Sequence, residues 1–369
     1  MSTFPELPAA PEARSRLEAL LTRVVELGAS DLHVTAEEPL RVRLDGLLEL
    51  LPDAAVPSAE ETAALAGAAT EPAQRAHFAR RGTLDLGLSA AGARFRINVF
   101  CERGRVALAV RRLDERLRTL EELHLPPALG ELADLEEGLV LFVGPTGSGK
   151  TTSLATLIER VNAARPLHVL TLEDPIEYVH TSRRALIRQR QLHTDFEDFA
   201  DALRAALRED PDVILVGEMR DRETLRAALT AAETGHLVFS TLHAANAVAA
   251  SERFVGAFAD EERDSVRAQL SYVLKAVVAQ RLLPGTHGGR VPAVELLKVT
   301  AAVANLIRSG RPSQVLSALE SGGRYGMQTF EESLASLLRR RLVDPHAAQR
   351  LARTPELLRE RLAPSGGPA

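Results

Sequence analysis

Apolar and polar positions change their spacing along the chain, and each spacing predicts a different kind of structure. Residues 14–28 carry leucine and valine near a 3.6-residue period and end in glycine, which predicts a helix. Residues 40–50 and 94–100 alternate apolar with polar side chains, and Asp45-Gly46 is a hairpin turn signal. The first third of the chain is therefore predicted to form a small α+β domain.

Short apolar runs alternate with helical patterns from about residue 138 onward. The runs cover residues 139–143, 168–172, 213–216 and 237–241. Strand and helix in repetition predict a mostly parallel sheet with helices on both faces, so the fold class is α/β. From about residue 261 we expect a largely helical chain that ends in a frayed tail, APSGGPA.

These shifts in pattern predict the domain organisation. The N-terminal α+β domain covers residues 1–118, and a linker, whose prolines limit helix continuation, covers 119–130. The α/β core with a helical C-terminal part covers 131–345, and residues 346–369 form a C-terminal helix and flexible tail. A length of 369 residues agrees with two main domains.

Composition and charge narrow the possible function classes. The formal net charge is −5 and there is no basic stripe, which argues against nucleic acid as a partner. The single cysteine, Cys101, excludes an internal disulfide and a four-cysteine zinc site. The N-terminus lacks the features of a signal peptide, and no apolar stretch approaches the roughly 20 residues of a membrane span. We therefore expect a cytoplasmic protein that reaches a membrane only through partners.

The most specific motif is a glycine-rich loop between a predicted strand and a predicted helix. GPTGSGKT, residues 144–151, fits the phosphate-binding pattern G-x-x-x-x-G-K-[ST]. Glycines let backbone N–H groups converge on phosphate oxygens, and the helix N-terminus adds partial positive charge. Lys150, one of three lysines in the chain, is expected to reach the β- and γ-phosphates of ATP. The residues assigned to nucleotide binding are Gly144, Pro145, Thr146, Gly147, Ser148, Gly149, Lys150, Thr151 and Thr152.

Acidic residues follow two of the predicted strands. In open α/β sheets ligands bind beyond the carboxyl ends of the strands, where side chains from several strands meet. Glu173 and Glu177 come after the second apolar run, and Glu218 comes after the third. Carboxylates at that edge are suited to hold magnesium or its waters and to orient a water for attack on phosphate. We assign Thr151, Glu218 and Glu173 to Mg²⁺.

Two histidines, His236 and His243, frame the fourth apolar run. As a pair on one strand they are predicted to sense the γ-phosphate. A structural role beside the strand is the alternative for each of them.

Four motifs in order resemble the secretion-superfamily ATPases of type IV pilus and type II secretion machines. They are GPTGSGKTT, LTLEDPIEYVH (170–180), ALREDPDVILVGEMRD (206–221) and TAAETGHLVFSTLH (230–243), which are similar to the Walker A, Asp box, Walker B and His box motifs. Further stretches at 26–35, 94–100, 305–310 and 325–344 resemble the PilT-type retraction ATPases in particular.

The resemblance implies a fold and a set of catalytic residues. It implies a P-loop NTPase core with a RecA-like sheet and a smaller, PAS-like N-terminal domain. The implied catalytic residues are Glu177 as general base, Glu218 near magnesium, Lys150, and His243 near the γ-phosphate or a subunit interface. His236 is implied in the same surroundings as His243.

The resemblance also implies a ring, usually a hexamer, with nucleotide at the subunit interfaces. Two arginines of the N-terminal domain, Arg96 and Arg112, are implied to reach the nucleotide when that domain closes. An arginine supplied in this way is worth roughly 10³–10⁵ in rate. Hydrolysis would then depend on the position of the N-terminal domain.

The implied function is an ATP-hydrolysing motor for type IV pilus retraction and twitching motility. Its implied partners are further copies of itself, the pilus inner-membrane platform protein and a paralogous ATPase. Its implied place is the cytoplasmic side of the inner membrane, at the pilus base.

Four alternatives remain open. Ala304 in AVANLIR stands where a basic residue is typical, which leaves a PilU-like accessory ATPase as one alternative. An extension or type II secretion ATPase usually carries a four-cysteine zinc element, which one cysteine cannot build. The presence of Glu177 and Glu218 disfavours a regulatory subunit that does not hydrolyse ATP. The acidic net charge disfavours a DNA-translocating motor.

Overall fold

A computed structural model describes residues 4–363 of the chain, which form two compact units. The smaller unit contains the residues up to 116 together with 173–179 and 189–198. The larger unit contains 117–172, 180–188 and the residues from 199 onward. This division follows contacts in space, so the contiguous domain bounds predicted from the sequence stay a prediction. Except for Ala363, the predicted frayed tail lies outside the described residues.

The smaller unit contains a six-stranded antiparallel sheet with the strand order β3-β2-β1-β6-β5-β4. Its strands are β1 (Asp31–Val34), β2 (Arg41–Leu44), β3 (Leu47–Leu50), β4 (Thr83–Ala90), β5 (Ala93–Glu102) and β6 (Arg105–Leu113). The turn between β2 and β3 has φ of 47° at Asp45 and 87° at Gly46. Positive φ at both central residues is the geometry that the Asp-Gly hairpin signal predicts.

Three helices belong to the smaller unit: α1 (Arg14–Glu26), α2 (Ala59–Ala69) and α3 (Pro72–Arg81). The predicted first helix is confirmed as α1, and Gly28 follows it with a φ of 69°. Leu21 and Val24 of α1 are fully buried and belong to one core with Phe95 and Ile97 of the sheet. The predicted α+β character of this part of the chain is confirmed.

The larger unit is built on a seven-stranded sheet with the order β13-β12-β7-β11-β10-β8-β9. Its strands are β7 (Gly138–Val143), β8 (His168–Glu173), β9 (Leu186–Gln191), β10 (Val213–Val216), β11 (Leu237–Leu242), β12 (Leu274–Pro284) and β13 (Arg290–Lys298). The strands from β12 to β8 pair in parallel, and β13 is antiparallel to β12. The four apolar runs are confirmed as β7, β8, β10 and β11, so the α/β fold class is correct.

Helices follow most of these strands. They are α4 (Lys150–Ala164), α5 (Phe199–Ala206), α6 (Arg222–Glu233), α7 (Ala247–Gly256), α8 (Arg263–Val273), α9 (Ala301–Arg308), α10 (Pro312–Glu320), α11 (Phe330–Arg339), α12 (Pro345–Leu351) and α13 (Pro355–Leu362). A 3₁₀ segment, Pro127–Asp134, precedes β7. The carboxylate of Asp221 caps α6 by accepting a hydrogen bond from Thr224 N at 2.8 Å.

The expectation that the chain is largely helical after residue 261 is wrong for β12 and β13. These strands form a long hairpin in which Ala276 pairs with Lys298 and Pro284 with Arg290. The run 274–284 has adjacent valines and is almost entirely buried, which is typical of a strand with other strands on both sides. Such a continuous apolar run has no period that separates a buried strand from a buried helix.

From residue 301 the predicted helical region is confirmed, because five α-helices follow β13 in the part of the chain up to residue 363. Phe330 and Leu334 of α11 pack in a core with Leu283 and Ala293 of the β12–β13 hairpin. Among residues 4–363, no helix has both the length and the apolar character that a membrane crossing requires.

Glu295, in the middle of β13, is completely buried. One carboxylate oxygen, Oε1, accepts a hydrogen bond from the backbone N–H of Ala247 at 2.8 Å, at the start of α7. The other oxygen, Oε2, pairs with the guanidinium of Arg353, just before α13. A buried carboxylate is tolerated when it is paired and hydrogen-bonded in this way. Glu295 therefore ties α7 and the C-terminal helices to the edge of the sheet.

We predict that Glu295→Ala destabilises the protein by about 3 kcal/mol, because it leaves an N–H group and a half-buried guanidinium without their partner. The free energy of unfolding from a urea titration measures this loss. Glu356→Ala is the matched control, since its pair with Arg359 is exposed and should change stability by less than about 0.5 kcal/mol. Equal losses in the two variants would contradict the structural role given to Glu295.

Candidate nucleotide site

The glycine-rich loop joins β7 to α4 at the carboxyl end of the parallel strands. Three of its glycines have positive φ, which is 145° at Gly144, 75° at Gly147 and 87° at Gly149. Side chains other than hydrogen rarely adopt these conformations. A Cβ atom on Gly144 would lie 2.3 Å from the carbonyl oxygen of Gln280, and one on Gly149 would lie 2.7 Å from Gln280 Nε2. Two of the three glycines are therefore required for space as well as for backbone conformation.

Gln280 of β12 holds the loop from below. Its amide Nε2 donates to the carbonyl oxygen of Ser148 at 2.8 Å, and its Oε1 accepts from Ser153 Oγ of α4 at 2.8 Å. The side chain is 2% exposed, so no water replaces these bonds easily. Gln280 thus fixes the end of the loop and the first turn of α4 to the same strand.

Lys150 is the first residue of α4 and is 9% exposed. Its Nζ donates to two carbonyl oxygens of the loop, that of Gly144 at 2.9 Å and that of Pro145 at 3.0 Å. Burial lowers the pKa of Lys150, and the negative charge of Glu218 acts in the opposite direction. The ammonium is therefore folded back over the loop and donates to its carbonyl oxygens.

The remaining loop residues differ in exposure. Pro145, Thr146 and Thr151 are exposed, and Thr152 is half-buried. Ser148 is 3% exposed, and within residues 4–363 its buried hydroxyl has no hydrogen-bond partner. A buried hydroxyl without a partner in a glycine-rich loop fits an anionic oxygen, which supports the assignment of this loop to phosphate.

Glu218 follows β10 and contacts the side chains of His243 and Arg220. Its Oε1 pairs with His243 Nε2 at 2.8 Å, and its Oε2 pairs with Arg220 Nη2 at 2.9 Å. His243 lies just after β11, the strand next to β10, so the two predicted residues meet at the same edge of the sheet. The side chain of Glu218 is 21% exposed and keeps contact with solvent.

The prediction that His236 and His243 act as a pair on one phosphate is wrong within a single chain. His236 precedes β11, and its carbonyl oxygen accepts a hydrogen bond from Gly138 N at the amino end of β7. The loop and His243 lie at the other end of these strands, which is roughly 20 Å away. The ring of His236 instead contacts Thr234 Oγ1 at 3.1 Å and the carbonyl oxygen of Ala231 at 3.0 Å.

Glu177 lies in the smaller unit, in an ion pair with Arg96 of β5. The distance between Arg96 Nη1 and Glu177 Oε1 is 3.5 Å, and Arg96 Nη2 lies 3.1 Å from Asp85 Oδ2. Burial raises the pKa of Glu177, and the charges of Arg96 and Arg111 act against that rise. The result is a carboxyl group that is a stronger base than an ordinary glutamate.

Arg96 and Arg112 lie on opposite faces of their sheet. That both reach the nucleotide when the domain closes stays a prediction. Arg96 pairs across the strands with Arg111, whereas Arg112 pairs with the buried Phe95. Because side chains alternate along a strand, Arg112 points to the face that carries α1, and its Nη1 lies 3.4 Å from the carbonyl oxygen of Val25. Arg111 is the residue that shares a face with Arg96.

Glu173, the third residue assigned to metal, is the last residue of β8 and is 7% exposed. Its Oε1 accepts a hydrogen bond from Gln189 Nε2 at 3.0 Å. A carboxylate so deeply buried is hard for a metal ion to reach. Thr151 and Glu218 are therefore better placed than Glu173 as candidate metal ligands. The assignment of Glu173 stays a prediction.

Three residues with a clear contact in the site regions were missed from the sequence. Gln280 holds the loop, Arg111 adds charge beside Arg96, and Arg94 donates from Nη2 to the carbonyl oxygen of Ile176 at 2.9 Å. Arg94 and Arg96 share one alternation in β5, which was a usable signal. The signal for Gln280 was weaker, since it is one polar residue inside an apolar run.

We predict that Gln280→Leu weakens nucleotide binding about tenfold, equivalent to about 1.4 kcal/mol, because the Ser148 carbonyl and the Ser153 hydroxyl lose their partner. Displacement of a fluorescent ATP analogue from the folded protein measures this change. Gln349→Leu, on the exposed face of α12, is the control and should bind as the parent does. Unchanged affinity in Gln280→Leu would show that the loop holds its shape without this residue.

Comparisons with known proteins point to one family. A family model described as type II/IV secretion system protein matches residues 10–301. The chain is 42% identical over 340 residues to the type IV pilus retractation ATPase PilT of Pseudomonas aeruginosa, covering 91% of this chain and 98% of that protein. It is 41% identical over 323 residues to the type IV pilus ATPase PilU of the same organism, covering 87% and 84%.

A solved structure gives the same result for the fold. The crystal structure of the pilus retraction motor PilT with bound ADP matches with a TM-score of 0.84 and 41% identity, covering 93% of this chain and 98% of that one. The chain therefore belongs to the type II/IV secretion system protein family and, within it, to the PilT-type ATPases of type IV pilus retraction.

Proposed function

We propose that this chain is the subunit of a hexameric ring in which the loop 144–151 binds ATP and Glu177 directs its hydrolysis to power pilus retraction. The observation that carries the proposal is the loop itself. Its glycines have the left-handed backbone of a phosphate cradle, Gln280 fixes it, and Lys150 lies over it. The ring, the roles of its site residues and its place in the cell are all part of this proposal.

Binding of ATP uses backbone N–H groups and one ammonium. The positive end of the α4 dipole and the inward N–H groups of the loop attract the β- and γ-phosphates. Lys150 exchanges its two carbonyl partners for phosphate oxygens, so its charge is balanced by an anion instead of by dipoles. This exchange favours the triphosphate over a nucleoside, because the latter offers no such charge.

The residues around the loop fit a magnesium ion. Mg²⁺ prefers oxygen ligands and keeps several waters, and the exposed hydroxyl of Thr151 and the carboxylate of Glu218 are oxygen donors of this type. When bound, the ion would offset negative charge on the phosphates. His243 and Arg220 hold the Glu218 carboxylate in one orientation, which is their part in the site.

Glu177 is the proposed general base. It accepts a proton from the attacking water while the water oxygen bonds to the γ-phosphorus and the bond to the β–γ bridging oxygen breaks, leaving ADP and phosphate. Its raised pKa suits this task, because a stronger base takes the proton more readily. Arg96, held by Asp85, orients the carboxylate through its other nitrogen.

The proposed assembly works at the cytoplasmic side of the inner membrane, where it turns a platform protein at the pilus base. Cycles of ATP binding and product release change which conformation of the subunit is favoured, and this difference in affinity supplies the force. A PilU-like accessory role is the second candidate. It is favoured by Ala304 in α9, where the family resemblance leads one to expect a basic residue, but the 41% identity to PilU does not exceed the 42% identity to PilT.

We predict that Glu177→Gln lowers the rate of ATP hydrolysis by about 10²–10⁴ while ATP binding is retained, because only the proton acceptor is removed. Steady-state phosphate release and a nucleotide-binding titration separate the two effects. Glu136→Gln, at an exposed position before β7, is the matched control and should keep full activity. Full hydrolysis by Glu177→Gln would remove Glu177 from the reaction.

The pH dependence of the hydrolysis rate should differ between the parent and Glu177→Gln. A general base works only when it is deprotonated, so the rate of the parent should fall as pH drops through the raised pKa of Glu177. This acid limb should lie above the ordinary glutamate value of about 4.3. It should be absent from the residual activity of Glu177→Gln, and an unchanged limb would assign it to another group.

We predict that deleting the gene leaves cells with abundant pili that do not twitch, since pili extend but are not withdrawn. Complementation with the parent gene should restore motility, and Lys150→Ala, which removes the phosphate-binding ammonium, should not. Electron microscopy and a surface-motility assay measure both outcomes. Normal retraction in the deletion strain would favour the accessory role, and bald cells would indicate extension.

A further inference from the structure

We propose that His77, His193 and Glu197 form a binding site for a divalent transition-metal ion in the smaller unit. His77 lies on α3, and the other two lie in the segment 189–198, which belongs to the same unit. One ligand atom from each side chain lies within 4.8 Å of those of the other two. None of the three residues takes part in the nucleotide site described above.

The donor atoms are close to the spacing that a tetrahedral ion requires. Metal–nitrogen distances of about 2.0–2.1 Å place two coordinated nitrogens about 3.3 Å apart. The imidazole rings of His77 and His193 are stacked, with centroids 3.7 Å apart and planes 30° from each other. One ring has to turn about its Cβ–Cγ bond so that both lone pairs meet at one ion. Rotation about this bond moves the ring and leaves the backbone in place.

His193 Nδ1 is a buried atom that has no hydrogen-bond partner within residues 4–363. The carboxylate atom Glu197 Oε2 lies 3.6 Å away, which is beyond hydrogen-bond length but well placed to share a cation. A buried ring nitrogen without a partner costs free energy. A metal ion between Nδ1 and the carboxylate would remove that cost.

The backbone around His193 is fixed in position. His193 has a φ of 61°, and its N–H donates to the carbonyl oxygen of Phe196 at 2.7 Å. The neighbouring Thr194 is bound to α3 through Gln74, whose Nε2 donates to Thr194 Oγ1 at 2.8 Å. Gln74 lies one helical turn from His77 and is 3% exposed. The segment that carries His193 is therefore held against the helix that carries His77.

The donor set selects the class of ion. Two imidazoles and one carboxylate suit Zn²⁺, Co²⁺ or Ni²⁺, whereas Mg²⁺ prefers oxygen ligands alone. The positive charges of Arg80 and Arg81 act on His77 and weaken the attraction for a cation, and Glu197 acts in the opposite direction. We therefore expect a dissociation constant in the micromolar range and not the tight binding of a four-ligand structural zinc site.

Titration of tag-free, chelator-treated protein with Co²⁺ tests the proposal, with visible absorption as the readout and no nucleotide present. We expect one equivalent of Co²⁺ per chain with a tetrahedral spectrum, and competition by Zn²⁺ but not by Mg²⁺. His193→Ala and His77→Ala should each weaken binding at least tenfold. Glu197→Gln should weaken it as well, and because Glu197 is exposed its loss leaves folding intact.

Two control variants distinguish this site from others. His287→Ala removes an exposed histidine in the β12–β13 turn and should leave binding unchanged. His243→Ala tests the alternative that the ion binds beside Glu218, and it should also leave binding unchanged. The proposal is overturned if His243→Ala abolishes the spectrum, or if His77→Ala and Glu197→Gln bind Co²⁺ as the parent does. Lys150→Ala should bind Co²⁺ normally, so a failed metal test leaves the proposed ATPase site untouched.

Discussion

The shape of the glycine-rich loop and the position of Lys150 depend on two hydrogen bonds that Gln280 makes beneath the loop. Three left-handed glycines set the course of the loop, but a glycine has no side chain that could hold it in place. Gln280 supplies that support because β12 lies directly beside β7, with Ala279 opposite Val143, so the next residue reaches under the loop. Gln280 also fixes the first turn of α4 through Ser153. This contact sets the position of Lys150, the first residue of that helix.

Local patterns predicted most of the fold, and long-range pairing decided the rest. The phosphate loop is contiguous in the sequence. Its glycines and lysine, and the strand and helix on either side, could therefore be predicted from one short stretch. Gln280 is 127 residues away from Ser153, and its strand was hidden in a continuous apolar run that has no diagnostic period. The same limit explains the missed β12–β13 hairpin, whose identity as a strand comes from its neighbours in the sheet.

The positions of His236 and Arg112 have geometric reasons that a linear motif does not contain. His236 and His243 both adjoin β11, but a strand has two ends and only one of them meets the loop. Arg96 and Arg112 are both implied by the family resemblance, but the two-residue period of a strand and the register with β6 put them on opposite faces. In contrast, Glu218 and His243 follow neighbouring parallel strands, and the rule that carboxyl ends meet at one edge was sufficient to pair them.

The residues proposed for phosphate binding and for proton transfer belong to different units of the chain. Lys150, Thr151 and Glu218 belong to the larger unit, whereas Glu177 and Arg96 belong to the smaller one. Arg96 lies nearer to Asp85 than to Glu177, so its charge is shared and the carboxyl of Glu177 is not fully compensated. That incomplete pairing leaves the pKa of Glu177 raised by burial, whereas a tighter ion pair would favour the charged carboxylate and lower this pKa.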